Sequence, residues 1–419
     1  MSLANKNILL GVTGGIAAYK SAELVRELVQ AGACVRVTMT QKATEFVTPL
    51  TFQALSGQPV ATDEFDASQS AHGMDHIALA RWADAVLIAP ASANTIAKLT
   101  HGRADNLLSA VCLATRAPIA LAPAMNQAMW SNPATRSNCE TLKKRGIQLL
   151  GPASGEQACG EVGEGRMFEA HQLLLSLINL FRTGELDGLN VLITAGPTRE
   201  PIDPVRYISN RSSGRMGYAL AEAARDAGAS VELISGPVSL KAGEDIHSVY
   251  VDTAQEMLEA VMRAVERQHV FIGCAAVADY RPVSRQPEKI KKLHADVSLS
   301  LTRNPDIIAE VARLKNGPFV VGFAAETREL EKYALQKLHH KQLDMIACND
   351  IADPRFGFDS EENALEVYWP GGHCSLEHDK KSKLARSLVS LVAKRYASMH
   401  KRGNVTVLTK AKDRSQTSR

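Results

Sequence analysis

Two stretches of this 419-residue chain open in the same way. N-I-L-L-G-V-T-G-G (Asn7–Gly15) is an apolar run ending in a hydroxyl and glycines. An amphipathic helix with Leu24, Val25, Leu28 and Val29 on one face follows, Gly32 closes it, and Cys34–Met39 reads as a second strand. N-V-L-I-T-A-G (Asn190–Gly196) repeats the opening, with a helix over Gly217–Ala227, a stop at Gly228 and a strand over Ser230–Ile234. A buried strand, a loop, an amphipathic helix and another buried strand form the unit that starts a doubly wound parallel sheet. The chain is long enough for two or three cores. Two α/β domains are therefore predicted, both with mainly parallel sheets.

Gly151–Phe168 contains five glycines and is predicted to form no regular element. A helix over Glu169–Phe181 and a short linker, Thr183–Gly188, follow it, which predicts domains over 1–186 and 187–400. In the second domain Thr253-x-x-Glu256 predicts a capping box. Asn304-Pro305 predicts a cap and first helical residue. The segment 401–419 carries six Lys/Arg and one Asp and is expected to be disordered.

Composition excludes some classes of partner. The net charge, 48 − 45 = +3, is too small to argue for nucleic acid or an anionic membrane. No apolar run approaches the ~20 residues that span a bilayer. The N-terminal run reads as a first strand and not as a signal peptide. Seven scattered cysteines without a C-x-x-C fit a reducing cytoplasm and argue against zinc.

The segment Thr194–Gly217, T-A-G-P-T-R-E-P-I-D-P-V-R-Y-I-S-N-R-S-S-G-R-M-G, leaves a strand and enters a helix through serines and glycines. Free N–H groups at a helix start and the nearby Arg206, Arg211 and Arg215 suit phosphate. It is neither a Walker A loop nor G-x-G-x-x-G. In the first domain, strands over Ala83–Pro90 and Ala117–Asn126 end in polar turns. Ligands of open α/β sheets bind past the carboxyl ends of strands, so loops 13–16, 90–95 and 123–126 are expected to meet at one site. Thr13-Gly14-Gly15 and Ser92-Ala93-Asn94-Thr95 offer hydroxyls and N–H groups to a phosphate. The first loop lacks a third glycine, and Met39-Thr40-Gln41-Lys42 offers no acidic residue for an adenosine ribose, which favours FMN over NAD or FAD. An empty turn explains the same residues.

Single residues admit bland readings as well. His76, Asn126 and Cys159 suit proton transfer and substrate holding, and equally suit surface, cap and core roles. Asp279 at a strand end suits a metal or a nucleotide hydroxyl, or merely caps a turn. Lys289 stands in a lysine-rich loop that reads first as solvated charge. Lys337 and Lys341 share a helix face that suits a triphosphate, or plain solvent.

Taken together, G-V-T-G-G-I-A-A-Y-K, P-A-S-A-N-T, P-A-M-N, A-C-G-E-V-G-E-G-R-M, the 194–217 segment, A-A-V-A-D-Y, K-I-K-K, N-P-D-I-I and V-G-F-A-A-E-T resemble one family over about residues 5–400. It is the bacterial bifunctional coenzyme A biosynthesis family, phosphopantothenoylcysteine decarboxylase fused to phosphopantothenate–cysteine ligase. Cys274 stands where a smaller residue such as Ala is expected, and the tail after about 400 lies outside the pattern.

The resemblance implies a flavodoxin-like N-terminal domain and a Rossmann-like C-terminal domain. It implies that FMN, held by Gly14, Gly15, Thr40, Ser92, Ala93, Asn94 and Thr95, oxidises the cysteine moiety of 4'-phosphopantothenoylcysteine so that CO₂ leaves. His76 would be the base, Asn126 the holder of the carboxylate and Cys159 the proton donor that leads to 4'-phosphopantetheine. In the ligase half, CTP with Mg²⁺ would activate 4'-phosphopantothenate as an acyl-cytidylate, which cysteine attacks. Lys289 would serve the first step and Asn210 the second. Gly273, Ala275, Asp279, Lys289, Pro305, Asp306, Ile307, Ile308, Phe323, Lys337 and Lys341 would bind CTP, while no metal ligands are indicated. The resemblance also implies a cytoplasmic homo-oligomer, with trimeric decarboxylase and dimeric ligase contacts and no nucleic-acid or membrane partner. A flavin- or nicotinamide-dependent oxidoreductase is the rival enzyme, disfavoured by the Lys289 loop and the missing dinucleotide fingerprint. A flavin-binding regulatory subunit is the non-enzymatic rival, disfavoured by the presence of both His76 and Cys159.

Overall fold

The computed structural model describes residues 3–62, 75–291, 298–326, 330–350 and 362–414. The chain forms two compact units, Met1–Phe181 and Arg182–Arg419.

The first unit is built on a six-stranded parallel sheet. Its strands are β1 (Asn7–Val12), β2 (Cys34–Met39), β3 (Val60–Ala61), β4 (Ala85–Ala91), β5 (Ile119–Pro123) and β6 (Gln148–Leu149), in the order β3-β2-β1-β4-β5-β6. Without the two-residue edge strand β3, this is the flavodoxin order. The central strands β1 and β4 are buried on both faces, as their unbroken apolar runs require. Helices Ala18–Gln30 and Ala170–Phe181 cover one face, burying Leu24, Leu28, Leu173 and Leu177. The other face packs on Ile96, Leu107, Leu108 and Leu142.

The glycine-dense span corrects the sequence reading. It is an antiparallel hairpin, β7 (Ala153–Glu156) with β8 (Val162–Arg166), and not an irregular loop. The glycines allow close approach there and do not break the strands. A Cβ at Gly163 would collide with the Gln127 side chain, and one at Gly165 with the Met125 carbonyl oxygen. Only bare backbone lets this hairpin lie against residues 125–127.

In the second unit the main strands are β9 (Asn190–Ala195), β12 (Ser230–Ser235), β13 (His247–Tyr250), β14 (Val270–Gly273), β17 (Phe319–Glu326), β18 (Met345–Asp350), β19 (Glu362–Trp369) and β20 (Gly372–Lys380). Two small antiparallel ribbons are separate from the sheet: β10 (Arg199–Pro201) with β11 (Tyr207–Ser209), and β15 (Tyr280–Pro282) with β16 (Leu301–Arg303). The sheet order β13-β12-β9-β14-β17-β18-β19-β20 is the Rossmann order, extended by two antiparallel strands. Helices Arg215–Asp226 and Lys381–Arg414 pack on one face, and Ala254–Ala264, Ile307–Ala312 and Leu330–His340 on the other.

The Thr253 capping box forms, with Thr253 Oγ1 accepting from Glu256 N at 3.2 Å and Glu256 Oε2 from Thr253 N at 3.4 Å. The cap expected at Asn304 is instead Asp306, whose Oδ1 accepts from Ala309 N at 3.2 Å. Asn304 is engaged elsewhere: it donates to Ala278 O at 2.7 Å and accepts from Arg281 at 2.9 Å. Over 401–414, where disorder is expected from the sequence, the backbone continues the last helix through Arg414. Residues 415–419 lie outside the described chain.

Candidate functional sites

The three N-terminal loops meet as their strand ends require. Thr13 Oγ1 donates to Pro90 O at 2.7 Å and accepts from Ser92 N at 3.0 Å, while Ala124 N donates to Ala91 O at 3.1 Å. Ser92 caps the helix Ala93–Thr100, its Oγ accepting from Thr95 N at 3.4 Å. Thr40 stands at the start of the short helix Gln41–Thr44 with an extended backbone and makes no side-chain cap bond. A Cβ at Gly14 would lie 2.5 Å from Lys42 Cβ, whereas one at Gly15 would meet nothing within 4 Å. The turn is thus closed on its Lys42 side and open on the other. Hydroxyls, helix-start N–H groups and a bare open backbone fit a flavin phosphate.

Asn126 starts the helix Gln127–Ser131, its Oδ1 accepting from Ala128 N at 2.8 Å. That bond turns Nδ2 toward the hairpin. There it meets Glu161 Oε2 at 2.6 Å, Gln157 Oε1 at 3.4 Å and Cys159 Sγ at 3.5 Å. The structure therefore brings Asn126 and Cys159 together. His76 is half-buried on the helix Asp75–Trp82, and none of these contacts includes it. The hairpin is latched from outside. Glu164 Oε2 accepts from the Trp130 indole N–H at 2.9 Å and from Arg136 Nη2 at 3.0 Å, and the two donors hold that carboxyl below its usual range. Sequence reasoning did not single out Gln157, Glu161 or Glu164. Their only signal was membership of the glycine-dense motif.

Cys159 and Cys34 are exposed. Burial instead pushes the Cys112 and Cys274 thiols up to about 12. At pH 8 iodoacetamide should label Cys34 and Cys159 well before Cys112 and Cys274, since the thiolate is the nucleophile. Peptide mapping against time checks this, and equal rates at all four sites would contradict it.

The second site is a cavity of about 1010 Å³ at the carboxyl ends of β9, β14, β17 and β18. It brings together Asn210, Ala275, Asp279, Pro305–Ile308, Phe323, Lys337 and Lys341. Asn210 Nδ2 donates to Val277 O at 2.9 Å, tying the 194–217 loop to the segment after β14. Lys341 Nζ lies 2.7 Å from Asp306 Oδ2. Gly273 does not line the cavity; a Cβ there would lie 2.6 Å from Ile308 Cδ1, so it acts by letting Ile308 close on the strand. Ser212, Ser213, Arg215 and Lys381 also line the wall. The 194–217 motif pointed to the first three of these, and nothing in the sequence pointed to Lys381.

Lys289 is exposed and outside the cavity wall. Its loop is strapped to the turn after β10. The buried Asp203 carboxylate accepts from Val205 N at 2.8 Å, Arg206 N at 2.9 Å, Arg206 Nη2 at 2.6 Å and Ile290 N at 3.2 Å, and Arg206 Nη2 also donates to Ile290 O at 3.0 Å. The Arg206 guanidinium and these N–H groups hold the Asp203 carboxyl far below the usual range. A depressed folded pKa stabilises above the unfolded value, about 3.9, and that stabilisation is lost as pH falls toward the folded value. The gap in denaturation midpoint between wild type and Asp203→Asn should therefore be constant from about pH 7 to about pH 5 and shrink below about pH 4. A gap that widened in acid would contradict this.

Residues 1–182 match a family model described as Flavoprotein, and residues 186–396 one described as DNA/pantothenate metabolism flavoprotein C-terminal domain. The coenzyme A biosynthesis bifunctional protein CoaBC of Haemophilus influenzae is 52% identical over 398 residues, covering 94% of this chain and 99% of that protein. Its counterpart in Escherichia coli (strain K12) is 50% identical over 407 residues, covering 96% and 100%. A crystal structure of the C-terminal domain of a coenzyme A biosynthesis bifunctional protein CoaBC is 38% identical, with a TM-score of 0.45, covering 52% of this chain and 100% of that one. The chain belongs to the family of bifunctional coenzyme A biosynthesis proteins, single polypeptides that carry both a decarboxylase and a ligase.

Proposed function

We propose that residues 1–186 decarboxylate 4'-phosphopantothenoylcysteine with FMN, and that residues 187–400 make that compound from 4'-phosphopantothenate and cysteine with CTP. The observation that carries the first half is the pairing of the Asn126 amide with the Cys159 thiol at 3.5 Å. Asn126 N–H groups hold the substrate carboxylate until CO₂ leaves, His76 takes the substrate's thiol proton, and the Cys159 S–H returns a proton to carbon. The turn at Gly14 and Gly15, Thr40 and the Ser92–Thr95 helix start would hold FMN. Bound FMN supplies a reversible two-electron acceptor, which a decarboxylation without net redox change requires.

In the ligase half, the cavity containing Asn210, Asp279 and Lys341 supports the nucleotide reading. Asp279 suits the ribose hydroxyls. Pro305–Ile308 and Phe323 form the wall for the base, and Lys337 and Lys341 offer charge to phosphate. Lys289 serves acyl-cytidylate formation and Asn210 its conversion by the cysteine amine. Mg²⁺ enters with CTP, held mostly by phosphate oxygens and water. The protein works in the cytoplasm as a homo-oligomer, with trimeric decarboxylase and dimeric ligase contacts.

Mass-spectrometric product analysis tests this reading, with 4'-phosphopantothenate, cysteine and Mg²⁺ in two tubes, one with CTP and one with ATP. Phosphopantetheine in the CTP tube is expected. Phosphopantetheine from ATP at the same rate would overturn the nucleotide assignment. A product with net oxidation would favour an oxidoreductase instead.

A further inference from the structure

We propose that Asn304 is a positioning residue of the ligase cavity: its side-chain amide holds the backbone of Ala278 and Asp279 so that the Asp279 carboxylate meets the ribose hydroxyls of the bound nucleotide. Asp279 is exposed and lies between β14 and β15, outside both strands. A carboxylate there is aimed only as well as the backbone that carries it. Freedom left in that backbone would be lost on gripping a ligand, and affinity would fall accordingly. Asn304 removes that freedom. Tyr280 pairs with Arg303 in the β15–β16 ribbon, which brings Asn304 opposite Asp279 just beyond the ribbon's end. There Asn304 N donates to Asp279 O at 2.9 Å, and Asn304 Nδ2 donates to Ala278 O at 2.7 Å. Both Asn304 and Asp279 line the cavity.

The Asn304 amide can point only one way. Its Oδ1 accepts from Arg281 Nη1 at 2.9 Å. A guanidinium has no acceptor and a carbonyl oxygen no donor, so exchanging the amide's O and N would break both bonds. The two partners flank Asp279 in the chain, Ala278 before it and Arg281 after it. The other end of Ala278 is held by the fully buried Thr198, whose Oγ1 accepts from Ala278 N at 3.0 Å. Ala278 is itself 2% exposed. Removing the amide would leave its carbonyl oxygen to find another partner, and the backbone beside Asp279 would move to supply one. None of these bonds uses the Asp279 carboxylate, which leaves both its oxygens for a ligand. Nor does the amide serve the helix Ile307–Ala312, which Asp306 caps.

This inference rests on the reading that Asp279 takes the ribose hydroxyls. Isothermal titration of CTP and of dideoxy-CTP into the full-length wild type, Asn304→Ala and Asn304→Asp tests it, because dideoxy-CTP lacks both ribose hydroxyls and keeps the base and phosphates. The wild type should bind CTP roughly tenfold or more tightly than dideoxy-CTP, the worth of hydrogen bonds to a carboxylate. In both variants that preference should fall to near parity. In Asn304→Ala the change should lie in weaker CTP binding, with dideoxy-CTP bound as by the wild type, which also shows that the variant has folded. Asn304→Asp keeps the acceptor for Arg281 and loses only the donor to Ala278. Its added charge opposes both nucleotides alike and cancels in the ratio. A wild-type preference kept in the variants would overturn the role of Asn304, whether affinity is unchanged or both nucleotides weaken equally, as a distorted wall would cause. Equal binding of the two nucleotides by the wild type would overturn the ribose reading of Asp279 itself, and the role of Asn304 with it.

Discussion

Cys159→Ser is expected to lower phosphopantetheine formation by a factor on the order of 10²–10⁴, the usual worth of a general acid, while pyrophosphate release by the ligase half is unchanged. The substitution keeps the size of the side chain and its place 3.5 Å from the Asn126 amide. What it removes is acidity, because a hydroxyl gives up a proton far less readily than a thiol. Asn126 and His76 are untouched, so CO₂ still leaves and the decarboxylated, unsaturated thiol accumulates. Trapped ¹⁴CO₂ together with mass analysis of the organic product reads both events. Phosphopantetheine appearing at the wild-type rate would end the proton-donor assignment. Loss of CO₂ release as well would place Cys159 earlier in the reaction.

Asn210→Asp is expected to cost the ligase a factor on the order of 10²–10³, comparable with removing one donor that faces developing charge, with decarboxylation of supplied 4'-phosphopantothenoylcysteine intact. Asn210 Nδ2 donates to Val277 O at 2.9 Å. A carboxylate there would face a carbonyl oxygen with no hydrogen between them, so the 194–217 loop would swing from the segment it is tied to. The new negative charge would also oppose the phosphates that the cavity receives. Acyl-cytidylate conversion should fail more severely than nucleotide binding, which a cysteine-free pyrophosphate-release assay separates from the full reaction. Equal loss of both halves of the protein would contradict two separate sites.

The sheets were legible because buried strands carry continuous apolar runs and each is followed by a helix with one apolar face. That pattern placed β1, β2, β4, β5 and β9, and the rule that ligands sit at carboxyl ends then gathered loops 13–16, 90–95 and 123–126. The hairpin carrying Cys159 was misread because glycine density signals a break locally. Here the reason for glycine is distant, in the Gln127 side chain and the Met125 carbonyl that crowd the strand. Gln157 and Glu161 could not be assigned without the hairpin pairing that turns them to Asn126. Lys289 shows the opposite difficulty. Its motif named it, yet its loop is strapped to Asp203 and Arg206 and leaves it outside the cavity. Lys381 sits in E-H-D-K-K-S-K, a run that reads as solvated charge, and only the helix start and the burial of the following turn draw it inward.

The 2.6 Å bond between Asn126 and Glu161 means that the resting decarboxylase half already holds a carboxylate where the substrate's would be expected to bind. Binding is then an exchange of one carboxylate for another. An amide has only two N–H donors, and in the resting state three hairpin acceptors surround them. If Asn126 holds the substrate carboxylate as proposed, the apparent affinity would be the intrinsic affinity multiplied by the fraction of molecules in which Glu161 has let go. The same exchange screens candidates by chemistry. A ligand without a carboxylate must leave the Glu161 contact in place or break it with nothing in return, so a decarboxylated product is released by the same contact that the substrate had to displace.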